Sequence, residues 1–307
     1  MRIAIIDLGT NTFNILIVEI ASDKGYKTLF QAKLPVKLGE GGINKNLIQP
    51  VPFQRGIDAL KQHQKTIEQY NVQKVYSFAT SAVRDAVNGK EFVAKLKLET
   101  GYEVNVIDGN VEAEFIYYGV REAVELSEKK SLIIDIGGGS TEFVIGDKNQ
   151  IFWKQSFLLG AARLLERFNP SDPITDDQIN EIKDYLKQEL QPLFSAMEKF
   201  PVTELIGSSG SFDSLAEMIA HRFYTPEILE GKTEYVFNLD DCEAIYDVLL
   251  KSTKEERLHM KGLVEMRVDM IVVSSIIVYF IITSFEIERM RLSTYALKEG
   301  VLHKLMN

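Results

Sequence analysis

Residues 5–18 read IIDLGTNTFNILIV, and residues 133–146 read IIDIGGGSTEFVIG. At an offset of 128 positions, Ile5, Ile6, Asp7 and Gly9 recur as Ile133, Ile134, Asp135 and Gly137. Leu8 corresponds to Ile136, Thr12 to Ser140, and the apolar runs 15–17 and 143–145 follow in register. Each copy is an apolar strand, an aspartate, a tight glycine turn and a second apolar strand. That is a β-hairpin with a carboxylate at its tip. Its repetition implies a duplicated core.

The remaining pattern alternates between the two element types. Strands are expected at 74–78 (KVYSF), 103–107 (EVNVI), 204–206 and 290–292. Helical spacing predicts helices over 53–70 (Ile57, Leu60, Ile67), 112–126 and 176–200 (Ile179, Ile182, Tyr185, Leu186, Leu190), with two more starting at Phe212 and Ala296. The class is therefore α/β throughout. At roughly 150 residues per domain, 307 residues argue for two domains. The polar turn 126–130, just before the second hairpin, is the expected boundary.

Composition excludes several functions. Lys plus Arg is 35 and Asp plus Glu is 44, so the net charge is −9, which argues against a nucleic-acid coat. An anionic small ligand stays open if cations are concentrated locally or a divalent metal helps. The single Cys242 excludes an intrachain disulfide framework and is read as a bystander thiol. His63, His221, His259 and His303 have no metal-ligand spacing. The stretch 270–285, MIVVSSIIVYFIITSF, runs 16 residues, shorter than the ~20 a bilayer needs, and is read as a central core helix. No leader pattern precedes Arg2, so a cytoplasmic protein without membrane attachment is expected.

The twin turns carry the candidate chemistry. Successive backbone N–H groups at Thr10, Asn11 and Thr12, and at Gly138, Gly139, Ser140 and Thr141, can form anion nests. Gly9 and Gly137 open the turns. Asp7 and Asp135 repel phosphate directly but can hold a divalent ion against it. Arg84, in ATSAVRDA after the strand 74–78, lies near a strand's carboxyl end, where α/β ligands bind. It suits oxyanion recognition, although a salt bridge to Asp85 or a neighbour is the plainer reading. Glu112 and Glu114 open a helix, where acids ordinarily complement the helix dipole. Glu142, seven residues past Asp135, alternates off the face that Phe143 and Ile145 bury.

These residues resemble a known family. DLGTNTFNILIVEI, ATSAVRDAVN, DGNVEAEFIYYGV, IIDIGGGSTEFVIG, SFLLGAARLLERF, IGSSGSFDSLA, KGLVEMRVDMI and RLSTYALKEGVL are similar, in order, to segments of the exopolyphosphatase / guanosine pentaphosphate phosphohydrolase family. The resemblance implies the actin-like ATPase (ribonuclease H-like) fold: two related α/β domains, 1–126 and 127–292, about a central cleft. Residues 293–307 would return to the first domain. It further implies Glu112 as the catalytic base, Asp135 and Glu142 as metal-binding acids with Asp7 as their symmetric counterpart, and Arg84 with the loops Gly9–Thr12 and Gly137–Thr141 as phosphate ligands. The cofactor would be Mg²⁺ or Mn²⁺. Gly207, Ser208, Ser209 and Gly210 match a loop that contacts the nucleoside in actin-like ATPases and here would frame the chain's path. Lys37, Arg163, Arg267 and Lys298 are the cations expected to hold a polyanion.

The sequence also departs from the family. Asn14 stands where an arginine is common, Val111 replaces one of two adjacent acids, and Ala296 and Lys298 replace a glycine and an arginine. The helical extensions of long members are expected to be missing beyond Asn307, which puts processivity on long polymers in doubt. The expected reaction is release of terminal phosphate from inorganic polyphosphate, with guanosine pentaphosphate as the alternative substrate. An actin-fold sugar kinase and a non-catalytic alarmone or nucleotide sensor are the other classes. Homodimer formation is left open.

Overall fold

The computed structural model describes residues 1–21 and 25–307. Its first sheet contains β1 (Arg2–Leu8), β2 (Thr12–Ile20), β3 (Tyr26–Pro35), β4 (Lys74–Ala79) and β5 (Val104–Val106), in the order β3-β2-β1-β4-β5. The second contains β6 (Ser131–Ile136), β7 (Thr141–Gly146), β8 (Ile151–Phe157), β9 (Glu204–Ser208), β10 (Glu234–Phe237) and β11 (Arg289–Ser293), in the order β10-β11-β9-β6-β7-β8. In each, three antiparallel strands lead to two further strands that run parallel to the first. The duplicated hairpin is thus the start of a duplicated sheet, and β10 is an addition to the second copy.

Strand alternation sorts the side chains into three cores. Ala4, Ile6 and Leu8 pack outward beneath helices Pro50–Gln69 and Gly89–Thr100, together with Phe13, Ile15 and Ile17. Leu132, Ile134 and Ile136 pack outward on the second sheet, among the helices that include Ile271–Ser284. Between the sheets, Ile3, Ile5, Leu16, Ile133, Val144 and Ile206 enclose helices Gly109–Ala123 and Leu297–Met306. Those two helices lie very close: a Cβ on Gly300 would fall 1.7 Å from the carbonyl oxygen of Phe115, so only glycine fits there. Asp7 shares its parity with Ile3 and Ile5, and Asp135 shares its parity with Ile133. Period-two alternation therefore turns both carboxylates into the gap between the sheets.

Several element boundaries differ from those read in the sequence. The expected helix 176–200 is two, Asp176–Glu189 and Gln191–Lys199, because Pro192 supplies no N–H and restarts the helix in its first turn. The expected helix 112–126 runs Gly109–Ala123, with the Asp108 carboxylate accepting from the Asn110 N–H at 2.8 Å. The apolar stretch forms Ile271–Ser284, buried along most of its length. Among the described residues, no helix is long and apolar enough to cross a membrane.

Candidate active site

The two hairpin tips meet. A Cβ on Gly138 would lie 2.4 Å from the Asn11 amide nitrogen, and one on Gly139 would lie 2.6 Å from the Thr10 hydroxyl. The turns are built alike: the Gly9 N–H donates to Thr12 O and the Gly137 N–H to Ser140 O, each at 3.0 Å. Their carbonyls are held from outside. Val36, Lys37 and Leu38 N–H groups donate to Asn11 and Thr10, and the first turn of helix Ala161–Phe168 donates to Gly137 and Gly138. Among the described residues, the N–H groups of Thr10, Asn11, Gly138, Gly139 and Ser140 have no protein acceptor. Donors left free at a loop tip are what an oxyanion needs.

These tips bound a cleft of about 460 Å³. Asp7, Glu112 and Asp135 reach into it, as do Asn14, Arg267 and Lys298. Ser208 and Ser209 both donate to Asp135, at 2.7 Å and at 2.6 and 2.7 Å. The Asn14 amide nitrogen donates to Asp7 at 2.9 Å, while its Oδ1 is buried without a partner. Asn14, which the sequence comparison marks as a lost cation, thus holds the first aspartate.

Burial raises four carboxyl groups at this site, Asp7, Glu112, Asp135 and Glu142. It pushes Asp7 up to about 6 against the pull of Lys298 and Asn14, and raises Asp135 against the two serine hydroxyls. Glu142 is pushed up to about 7 by burial and then by the Asp135 charge. Glu112 stands well above the usual glutamate range, because burial and the Glu142 charge outweigh the pull of Arg84. Burial and the mutual repulsion of these four acids outweigh the pull of Arg84, Lys298 and Arg267 on them, and their hard oxygens suit a divalent ion. Among the described residues, no three acids or histidines cluster tightly enough to form a cage. That pattern fits Mg²⁺, which takes one or two carboxylates and completes its shell with water and phosphate oxygens.

Not every sequence candidate faces the cleft. Arg84 stands behind Glu112, its Nη1 donating to Glu112 Oε2 at 2.8 Å and its Nε 3.4 Å from Asp85. Glu142 lies behind the lining, 1% exposed, and accepts from Ser156 at 2.6 Å. The Thr141 hydroxyl is occupied by Leu159 O. Arg163 does not reach the cleft: its guanidinium donates to Gly139 O and Ile43 O, both at 2.9 Å, and approaches Asp85 at 3.5 Å. Lys37 pairs with Asp269 at 3.9 Å, outside the phosphate loops. Gly207 makes room for the Phe212 ring and does not line the cleft. The sequence reading missed Ser156 and Ser81 (which donates to Asp85 at 2.8 Å), and it named Ser208 and Ser209 as framing the chain's path, not as donors to Asp135.

A second chamber of about 950 Å³ adjoins the cleft, sharing Lys33, Gly210, Asp213, Arg267 and Thr294 with it. Lys37, Lys254, Glu217, Glu265 and Asp269 line it beside Leu229, Leu258, Val264 and Met266. Its charges nearly balance, and much of its wall is apolar.

Paired sheets with amide-rich hairpins closing on a carboxylate cleft define the actin-like class of phosphate-handling α/β proteins. Within that class, the chain belongs to the Ppx/GppA phosphatase family, whose model matches residues 16–307. It is similar to the crystal structure of an exopolyphosphatase from Cytophaga hutchinsonii, with a TM-score of 0.95 and 40% identity over 100% of this chain and 98% of that one. It is 26% identical to exopolyphosphatase 1 of Mycobacterium tuberculosis, over 99% of this chain and 88% of the relative. A guanosine-5'-triphosphate,3'-diphosphate pyrophosphatase of Photobacterium profundum is 29% identical, over 99% of this chain and 59% of its own length.

Proposed function

We propose that the chain is an exopolyphosphatase, releasing terminal orthophosphate from inorganic polyphosphate by attack of water. The observation that carries the reading is Glu112: a buried carboxylate tethered by Arg84, facing the same cleft as both sets of free amide donors. Phosphoryl transfer asks for positioning and charge stabilisation more than for covalent chemistry. The free N–H groups of Thr10, Asn11, Gly138, Gly139 and Ser140 would take the oxygens of the terminal phosphate. Glu112 would accept the proton of the attacking water, and its raised pKa brings it towards the working pH, as a general base needs. Arg84 would fix its orientation. Lys298 and Arg267 would hold the following phosphates of the chain.

Asp7 and Asp135 would hold Mg²⁺, with Glu142 modulating them from behind. When bound, the ion supplies neutralisation of the non-bridging phosphate oxygens. The deciding experiment measures phosphate released from polyphosphate, guanosine pentaphosphate and ATP, with and without Mg²⁺. Release from polyphosphate that requires Mg²⁺ supports the proposal. Transfer to a sugar with no hydrolysis favours a kinase, and binding without turnover favours a sensor.

A second reading, guanosine pentaphosphate as substrate, is favoured by the adjoining chamber. A polyphosphate track needs cations alone, whereas apolar walls beside Glu217 and Glu265 suit a purine with ring N–H donors. Faster release from guanosine pentaphosphate than from polyphosphate would put this reading first.

A further inference from the structure

Ser208 and Ser209 are neighbours in the chain, yet both hydroxyls reach the carboxylate of Asp135. Regular strand geometry forbids this, since successive side chains leave opposite faces. Ser208 is aligned with Asp135 between the parallel strands β9 and β6, so its hydroxyl arrives by register. Ser209 should then point to the far side. It does not, because its backbone takes φ 71° and ψ 174°, a region that essentially only glycine occupies without strain. That twist turns the second hydroxyl back onto the same carboxylate, equidistant from both oxygens within 0.1 Å (2.6 and 2.7 Å).

We propose that Ser209 is a positioning residue that accepts a strained backbone in order to lock the Asp135 carboxylate in one orientation towards the cleft. Glycine would serve the backbone better, and Gly207 and Gly210 stand on either side of the serine pair. A serine kept at the strained position points to a need for its hydroxyl. Asp135 has no ion-pair partner among the described residues, so hydroxyl donors alone hold this nearly buried acid. Each serine donates a single proton, so the carboxylate, which lines the cleft, keeps lone pairs for a further ligand. The consequence for metal affinity rests on the Mg²⁺ reading above.

The test compares Ser209→Gly with Ser209→Ala. Both lose the hydroxyl, but only alanine keeps the strain. Alanine is ordinarily the more stable of the two. Here Ser209→Gly should melt higher than Ser209→Ala, by roughly 2–4 °C for each unit of strain energy relieved. Mn²⁺ binding to the substrate-free protein, followed by electron paramagnetic resonance, should weaken about 10–100-fold in both variants, the usual effect of removing a group that orients a metal ligand. The KM for substrate should move less than the Mg²⁺ concentration at half-maximal rate. Ser209→Ala melting at or above Ser209→Gly overturns the strain, and variants that bind Mn²⁺ like wild type overturn the positioning role. A wild-type protein that binds no Mn²⁺ sinks the metal reading and this proposal together. Variants that bind normally beside a binding wild type sink this proposal alone.

Discussion

Arg84 Nη1 and Glu112 Oε2 lie 2.8 Å apart, although 28 positions separate them in the chain. The arginine leaves the short helix that follows β4, and the glutamate stands in the first turn of the helix between the two sheets. Their pairing orients the carboxylate and opposes the burial that raises its pKa. Glu112→Gln keeps the shape and removes the base. Turnover should fall by about 10²–10⁴, the general-base contribution, with substrate binding little changed. A variant with near wild-type kcat would show that some other group takes the proton.

Arg84→Met separates two roles for the arginine. If it acts through Glu112, its loss removes the attraction that holds the glutamate's pKa down. The base is active when deprotonated, so the acidic limb of the kcat–pH profile should move to higher pH, by roughly 1–3 units. A limb that stays in place while KM rises would instead assign Arg84 directly to the phosphate.

The acids of the cleft set a pH dependence of stability. Asp7 rises from an ordinary 3.8 to about 6, and Glu142 from 4.5 to about 7. A carboxyl group raised in the folded state favours folding below its unfolded pKa and loses that contribution as pH climbs through the folded value. For these two groups the loss runs from about pH 4 to about pH 7. Calorimetry on metal-free protein should show Tm falling across that window. Saturating Mg²⁺ should raise Tm more at about pH 8, where both acids are ionised, than at about pH 5. Equal stabilisation at both would mean that the ion does not answer these charges.

Much of this arrangement was legible in the chain. The repeat at 5–18 and 133–146 gave the duplicated sheets, and alternation alone turned Asp7, Asp135 and Glu142 inwards. Pro192 was equally legible as a helix start, but the apolar periodicity of 176–200 runs straight through it. Ser209 was named from the sequence, but its twist onto Asp135 was not legible, because nothing in its local sequence demands a positive φ; the demand comes from Asp135, 74 positions away. The surroundings of Arg163 were hidden for a related reason. A cation in a matching segment looks free until the carbonyls that capture it are seen, and those belong to Ile43 and Gly139.

Arg163→Met decides whether that arginine holds substrate or the protein itself. Its side chain is nearly buried, and its donors join residue 43 beside the first sheet to the loop of the second. Two charge-assisted hydrogen bonds would be lost, each worth about 1.5–3 kcal/mol, so the urea midpoint should drop by the equivalent of roughly 3 kcal/mol or more. Methionine fills much of the same volume, which keeps the lost donors as the main change. Gly139 would lose the contact that fixes its carbonyl, so kcat should fall because the adjacent N–H groups are no longer held for phosphate. A cation that gripped the polymer would behave differently. Its removal would leave stability intact, raise KM for longer chains and flatten the salt dependence of binding, since each phosphate contact releases counterions. A stable variant with that kinetic pattern would return Arg163 to the substrate and detach it from the loop.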